Sequence, residues 1–249
     1  MWKVKGKNMN NNFKNKMLEL SKNIGVDSTD EQIEKFYVYM KTLLEWNEKI
    51  NLTAIIEEDD IILKHFIDSM TVLKYIQKEK SIIDVGTGAG FPGIPIAIME
   101  NYAKVTLLDS LNKRINFLNE VCNQIKLNNI KTIHGRAEDI GHDKKYREMF
   151  DIAISRAVAN MTTLSEYLLP MVKVGGICIC MKGSEIEQEL NDSKFAIKEF
   201  GGKVLKVEKF LLPNSDIERN IIIIKKIKET SHKYPRKAGM PSKAPMFHR

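Results

Sequence analysis

Residues 81–95 read Ser81-Ile82-Ile83-Asp84-Val85-Gly86-Thr87-Gly88-Ala89-Gly90-Phe91-Pro92-Gly93-Ile94-Pro95. A short run rich in β-branched residues enters a glycine turn, and an apolar segment carrying two prolines leaves it. That is the grammar of a strand, a tight turn and a helix start. Glycines permit the turn and let a ligand approach the backbone, while the helix start presents N–H groups that no carbonyl of the helix can reach. Pro92 and Pro95 suit a first helical turn, where a missing N–H leaves nothing unbonded. Two classes of cofactor use such a turn. Gly88-x-Gly90-x-x-Gly93 satisfies the dinucleotide fingerprint, with a pyrophosphate at the helix N-terminus and an acid about 20 residues on that holds a ribose. The glycine pattern alone does not choose between the classes.

Outward from this turn, strands and helices alternate. The spacing predicts strands over 81–85, 105–109, 131–134, 151–155 and 177–182, with helices over 94–101, 111–127, 161–172 and 185–200. Such alternation means a parallel sheet covered by helices on both faces. Two further strands, 203–211 and 220–226, flank a turn around Pro213-Asn214-Ser215-Asp216 and should close the sheet as an antiparallel hairpin. Before residue 78 the apolar period is helical. A short helix should hold Met17, Leu18, Ile24 and Val26, and a second one, ending near Asn47, should follow a capping box of Ser28 with Glu31 and bury Trp46. A third is expected over 59–76. The organisation expected is a helical N-terminal extension (1–78) packed on an α/β core (79–228), with a basic tail (229–249).

The chain has 249 residues, 43% of them apolar, enough for a real core. Cys122, Cys178 and Cys180 are odd in number and form no CxxC pair, which argues against a disulfide framework and for a reducing compartment. The cysteines are expected to pack in the core. No run reaches the roughly 20 apolar residues of a membrane span, and no secretory leader is visible, so a cytoplasmic protein, not membrane-bound and without a metal, is expected. Residues 225–249 hold eight Lys or Arg against Glu229 alone, which accounts for the whole net charge of +7. Lys3, Lys5, Lys7, Lys14 and Lys16 form a second basic cluster. The tail reads as a solvated, poorly ordered end or as a source of salt-dependent, sequence-blind affinity for RNA or DNA, with an anionic membrane as a third reading that the lack of a clean amphipathic helix there weakens.

The surroundings of the glycine turn separate the cofactor readings. Asp84, at the end of the first strand, places a carboxylate where a pyrophosphate would be repelled but an ammonium and a sulfonium would be welcome. That favours S-adenosylmethionine. Asp109, ending the second strand, is placed to accept from ribose hydroxyls in either reading. His134 to Asp139 follow the third strand and Ser155-Arg156-Ala157 the fourth, all on the carboxyl edge where open α/β sheets bind ligands.

The chain resembles the class I methyltransferases and, among them, is similar to the bacterial small-subunit ribosomal RNA guanine-N7 methyltransferases, also called glucose-inhibited division protein B. The resemblance rests on WNEKINLT (46–53), KHFIDS (64–69), DVGTGAGFPGIP (84–95), LLDSLNKRINFL (107–118), GRAED (135–139), ISRAVA (154–159), MKG (181–183) and KYPRKAGMPSKAP (233–245), in this order. It implies a Rossmann-like fold with a seven-stranded, mostly parallel sheet whose last strand is antiparallel. It implies S-adenosylmethionine as cofactor, held by Gly86, Phe91, Ala137, Glu138 and Arg156 with Asp109 beside the ribose, to which the turn adds Asp84 and Gly88. The substrate implied is a guanosine of 16S ribosomal RNA near the decoding centre, on naked RNA or within the small subunit, and the enzyme is expected to be a monomer. Arg156, Lys182, Asn51 and His65 are the candidates for positioning and RNA contact, with Asp68, Arg219, Lys233, Arg236 and Lys237 behind them. Asn220 departs from the histidine that many relatives carry after the arginine. SRAVAN after the fourth strand differs from the NPPY-like turn of exocyclic-amine methyltransferases, and guanine N7 needs no general base. A nicotinamide oxidoreductase and a catalytically silent RNA-binding assembly factor are the competing readings.

Overall fold

The computed structural model describes residues 9–247 apart from Lys78. Lys3, Lys5 and Lys7 lie outside the described residues. Seven strands, β1 (Ser81–Val85), β2 (Lys104–Asp109), β3 (Ile130–His134), β4 (Phe150–Arg156), β5 (Val172–Lys182), β6 (Gly202–Leu211) and β7 (Glu218–Lys226), form one sheet in the order β3-β2-β1-β4-β5-β7-β6. Strands β1 to β5 are parallel, and β7 inserts antiparallel between β5 and β6. Strand order reverses at β1 and β4, so the carboxyl ends of these two strands open a crevice at the switch point.

Ahead of the sheet come α1 (Asn11–Asn23) and α2 (Asp30–Ile50). The capping box of α2 is Thr29 with Gln32, one residue later than the expected Ser28 with Glu31. Glu31 instead pairs with Lys35 on the helix surface. The helix runs three residues beyond Asn47, and Asn51 ends it in the left-handed conformation. Trp46 is half-buried against Phe117 rather than enclosed.

The helix expected over 59–76 is broken. α3 (Glu58–Ile61) widens into a π-helical turn, Ile62–Ile67, which narrows to α4 (Asp68–Met70) and a 3-10 turn, Leu73–Tyr75. In the wider register the carbonyls of Lys64 and His65 accept from a side chain outside the helix, Arg156. A π-turn held in this way is a local cost that tertiary contacts offset.

Helices α5 (Gly93–Met99), α6 (Asn112–Gln124), α7 (Ala137–Ile140), α8 (Met161–Leu168) and α9 (Glu187–Glu199) connect the strands, and α10 (Met240–Lys243) lies in the tail. The helical N-terminal region shares one core with α5, α6 and one face of the sheet, centred on Phe36, Tyr39, Phe66 and Phe117. A second core beneath α8 and α9 holds Ile83, Leu164, Phe200, Cys178 and Cys180. All three cysteines are free and buried, and burial pushes the Cys122 and Cys180 thiols up to about 12. Strand β5 begins at Val172, five residues before the expected start, with an irregular register between Phe150 and Ile152 of its partner. Among the described residues, no helix is long and apolar enough to cross a membrane.

The tail is not a loose end over its described residues. Arg236 pairs with the buried Glu166, Arg147 Nη1 donates to the carbonyl of Tyr234, and Thr163 Oγ1 donates to that of Pro241. These partners lie 70 or more residues away in sequence, which is why composition alone points to disorder.

Candidate active site

A cleft of about 430 Å³ opens at the carboxyl edge of β1, β2 and β4. Its floor is the glycine turn, residues 86–91 except Gly90. One wall comes from Asp109, Ser110 and Arg114, another from Arg156, Ala157 and Val158, and the N-terminal region contributes Leu52, Thr53 and His65.

The turn is held from below. Asp84 is fully buried, and its Oδ2 accepts from Thr87 Oγ1 at 2.6 Å and from the Gly93 amide at 2.9 Å. Gly93 is the first residue of α5 and its cap, Pro92, has no side-chain hydrogen bond, so a carboxylate from the preceding strand does the capping and faces the positive end of the helix. Asp84 therefore departs from the expectation of a carboxylate lining the cleft: it lies under the turn. Its Oδ1 is buried without a hydrogen-bond partner. Burial raises the Asp84 carboxyl to about 6 against the opposing pull of Thr87 and Gly93.

Two glycines have distinct reasons. A Cβ on Gly86 would stand 2.7 Å from Val158 Cγ2, because the segment after β4 folds over it. Gly88 (φ +62) has only the Gly86 carbonyl oxygen near, at 4.0 Å, so its bare face looks into open space. A cradle that one methyl group would begin to fill suits a ligand lying against the backbone, as S-adenosylmethionine would. Asp109 closes that side. Its Oδ2 accepts from the Gly88 amide at 3.0 Å and Arg114 Nη1 at 3.3 Å, its Oδ1 from the Leu111 amide at 2.9 Å. Four lone-pair directions on a carboxylate leave room for a ribose hydroxyl.

On the N-terminal side an aromatic stack forms a wall. The His65 ring lies 4.4 Å from Phe91, nearly parallel, and the Arg156 guanidinium is 4.9 Å from the Phe91 centroid. Thr53 Oγ1 is 2.9 Å from His65 Nε2, while Arg156 Nη2 is 3.3 Å from His65 Nδ1. An arginine only donates, so Nδ1 is the acceptor and Nε2 carries the proton. Burial, with the Arg156 charge, pushes the imidazole down to about 3.

The other sequence candidates are distributed around this cleft. Arg156 spends its Nη1 on the carbonyls of Lys64 and His65 and on Asp68, so most of its donors face protein rather than a free phosphate. Lys182 is outside the cleft lining; it pairs with Glu189 and donates to the Ala159 carbonyl, just beyond the Ala157–Val158 wall. Asn51 is exposed at the left-handed turn, and its neighbours Leu52 and Thr53 reach the cleft instead. Ala137 and Glu138 start α7 beyond Gly135, whose amide donates to the Asp109 carbonyl. Glu138 is buried and accepts from the Gly239 amide of the tail at 2.8 Å. Asn220, the residue after Arg219, is buried and donates to the carbonyls of Gly183 and Ser184. Thr53, Thr87 and Arg114 were not singled out from the sequence. Only Arg114 carried a signal, as the residue five positions after Asp109 on the opening turns of α6.

A family model described as rRNA small subunit methyltransferase G matches residues 32–222. The protein of that description from Alkaliphilus oremlandii is 53% identical over 236 residues, covering 94% of this chain and 99% of its own. Its counterpart from Clostridium perfringens is 54% identical over 225 residues, covering 90% and 94%. Among solved structures, M. jannaschii TYW2 in complex with AdoMet matches with a TM-score of 0.52 at 18% identity, covering 65% of this chain and 76% of that one. A SAM dependent methyltransferase from Aquifex aeolicus matches with a TM-score of 0.51 at 18% identity, covering 66% and 92%. These two likenesses establish the Rossmann-like methyltransferase fold alone. The family match spans the glycine turn, both cleft walls and six of the seven strands in full, and the chain belongs to the ribosomal RNA small subunit methyltransferase G family, S-adenosylmethionine-dependent methylases of ribosomal RNA.

Proposed function

We propose that the protein methylates N7 of a guanosine in 16S ribosomal RNA near the decoding centre, by in-line transfer without a general base. The observation that carries this reading is the state of His65. It is the imidazole of the cleft, both its nitrogens are engaged, and a group pushed down to about 3 is too weak a base to take a proton from a nucleophile at neutral pH. Guanine N7 has an in-plane lone pair and no proton to lose, so it asks for none.

S-adenosylmethionine, when bound, supplies a methyl group on a positively charged sulfur that leaves as a neutral thioether. The protein's task is positioning, which is worth several kcal/mol of barrier when reacting atoms are held in line. In this reading the bare face of Gly88 takes the cofactor's backbone-facing edge, and Asp109, held by the Gly88 amide, takes the ribose. Ala137 and Glu138 bound the adenine end. Phe91, stacked by His65 and Arg156, forms a firm wall that keeps water from the methyl group. Lys182 acts through Ala159 on the wall segment 157–158, and Asn51 presents an exposed amide at the rim, open to RNA. The positive charge that develops on the guanine is balanced within the cleft by Asp109 and, beneath the turn, by Asp84.

RNA in which the target guanosine is replaced by 7-deazaguanosine tests this. A carbon in place of N7 should abolish methyl transfer while leaving RNA binding intact; transfer that persists would place the methyl group on another atom.

A further inference from the structure

We infer that residues 236–244 form a preformed phosphodiester-binding loop that couples RNA docking to cofactor retention through Glu138. The inference rests on the reading of the protein as an RNA methyltransferase. Three observations carry it.

The first is the way the loop is closed. Arg236 holds the buried Glu166 of α8 through Nε at 2.9 Å and Nη2 at 2.7 Å, and its backbone amide also donates to Glu166, at 2.7 Å. Its Nη1 donates to the Ala244 carbonyl at 2.9 Å, so one guanidinium fixes both ends of the loop. Bidentate pairing of this kind is directional, and here one partner is wholly buried.

The second is what the loop presents. Lys237 and Lys243 are exposed and have no ion-pair partner among the described residues, whereas Lys233 pairs with Glu199 and Arg236 with Glu166. From residue 230 onward the sequence has no acid. Two free ammonium groups on a loop whose ordering is already secured would meet phosphates without the usual entropic cost of fixing a flexible tail.

The third is where the loop is anchored. Its Gly239 amide donates to Glu138 Oε1 at 2.8 Å, and its Pro241 carbonyl accepts from Thr163 in the first turn of α8. The loop therefore bridges the starts of α7 and α8, the segments that follow β3 and β4 on the carboxyl edge. Glu138 holds the tail with one oxygen and stands at the adenine end of the proposed cofactor site. A phosphate bound at Lys237 and Lys243 acts on the same rigid loop whose Gly239 amide orients Glu138, and linkage requires the effect to be reciprocal.

Calorimetry of S-adenosylhomocysteine binding, with and without deproteinised 16S RNA, reads this coupling. In the wild-type protein RNA should tighten S-adenosylhomocysteine binding about threefold or more. Glu166→Gln opens the fork; binding of S-adenosylhomocysteine alone should stay within about twofold, and the enhancement by RNA should vanish. The Lys237→Gln/Lys243→Gln pair leaves the fork intact and should reduce the slope of log affinity for RNA against log salt by about 1.5, two phosphates' worth. An unchanged salt slope in the lysine pair, or enhancement that survives Glu166→Gln, would overturn the inference. Failure of the functional reading would show separately, as wild-type protein that binds this RNA without methylating it.

Discussion

Arg156 Nη1 lies 3.1 Å from Asp68 Oδ2, and the same oxygen is 3.2 Å from Arg219 Nε. One carboxylate thus ties the π-turned N-terminal region to β4 and to β7, which lie on either side of β5. The pair is nearly dry, with Asp68 4% and Arg156 14% exposed at the side chain. Without Asp68 the two guanidinium groups would face each other uncompensated. Asp68→Ala should therefore destabilise the protein by about 3–5 kcal/mol, the cost of breaking a buried pair by removing one partner. Urea unfolding measures this, and a loss below about 1 kcal/mol would contradict the structural role given to the pair.

Asp84 sets a pH dependence. Its folded value of about 6 lies above the ordinary 3.8, so the folded state keeps the proton longer than the unfolded chain. The associated stability is present below about pH 4 and is lost as pH rises through about 6, at most about 3 kcal/mol for a shift of this size. Asp84→Asn should remove this slope from the stability profile between pH 4 and 6. A profile parallel to that of the wild-type protein would mean the carboxylate is already ionised beneath the turn.

His65 should act in the opposite sense. Its folded value of about 3 lies below the ordinary 6.5, so the unfolded chain takes up the proton first. The contribution is fully present above about pH 6.5 and is lost as pH falls towards 3. For catalysis the consequence is a rate of methyl transfer with no inflection between pH 6 and 8 from this residue. His65→Gln keeps hydrogen-bonding groups without a titration and should give the same shape of profile at a lower rate. An inflection near pH 6.5 that disappears in His65→Gln would make the imidazole a working base after all.

Gly88→Ala probes the cradle. The left-handed backbone at this position costs an L-residue about 1–2 kcal/mol, and the new methyl group enters the cleft. S-adenosylhomocysteine affinity should fall tenfold or more by calorimetry, with the fold retained by circular dichroism. Affinity within twofold of wild type would place the cofactor elsewhere.

The sheet was legible because its strands are short apolar runs bounded by turn residues, and β1 to β4 lie where alternation puts them. A nucleoside site followed from the glycine turn with Asp109, local features 21 residues apart whose meaning is set by strand order, whereas the choice of S-adenosylmethionine rested on Asp84 and on the family resemblance. What the sequence hid depends on long-range partners. The π-turn exists because Arg156, 92 residues after Lys64, takes a carbonyl that a regular helix would keep. Asp84 reads as a ligand contact by its place at a strand end, yet the Gly93 amide and the Thr87 hydroxyl draw it beneath the turn. Thr29 displaced Ser28 as cap because Gln32 answers it reciprocally, while Glu31 has Lys35 one turn on. The tail looked loose because a Lys-rich segment with prolines has no internal reason to fold; its anchor, Glu166, lies in a different helix.

The most direct measurement is to incubate the protein with methyl-labelled S-adenosylmethionine and small ribosomal subunits lacking the modification, or their deproteinised RNA, then digest the RNA to nucleosides for mass spectrometry. The account predicts label in 7-methylguanosine, from one position. Label in any other nucleoside, or RNA left unlabelled by protein that binds S-adenosylhomocysteine, would contradict it.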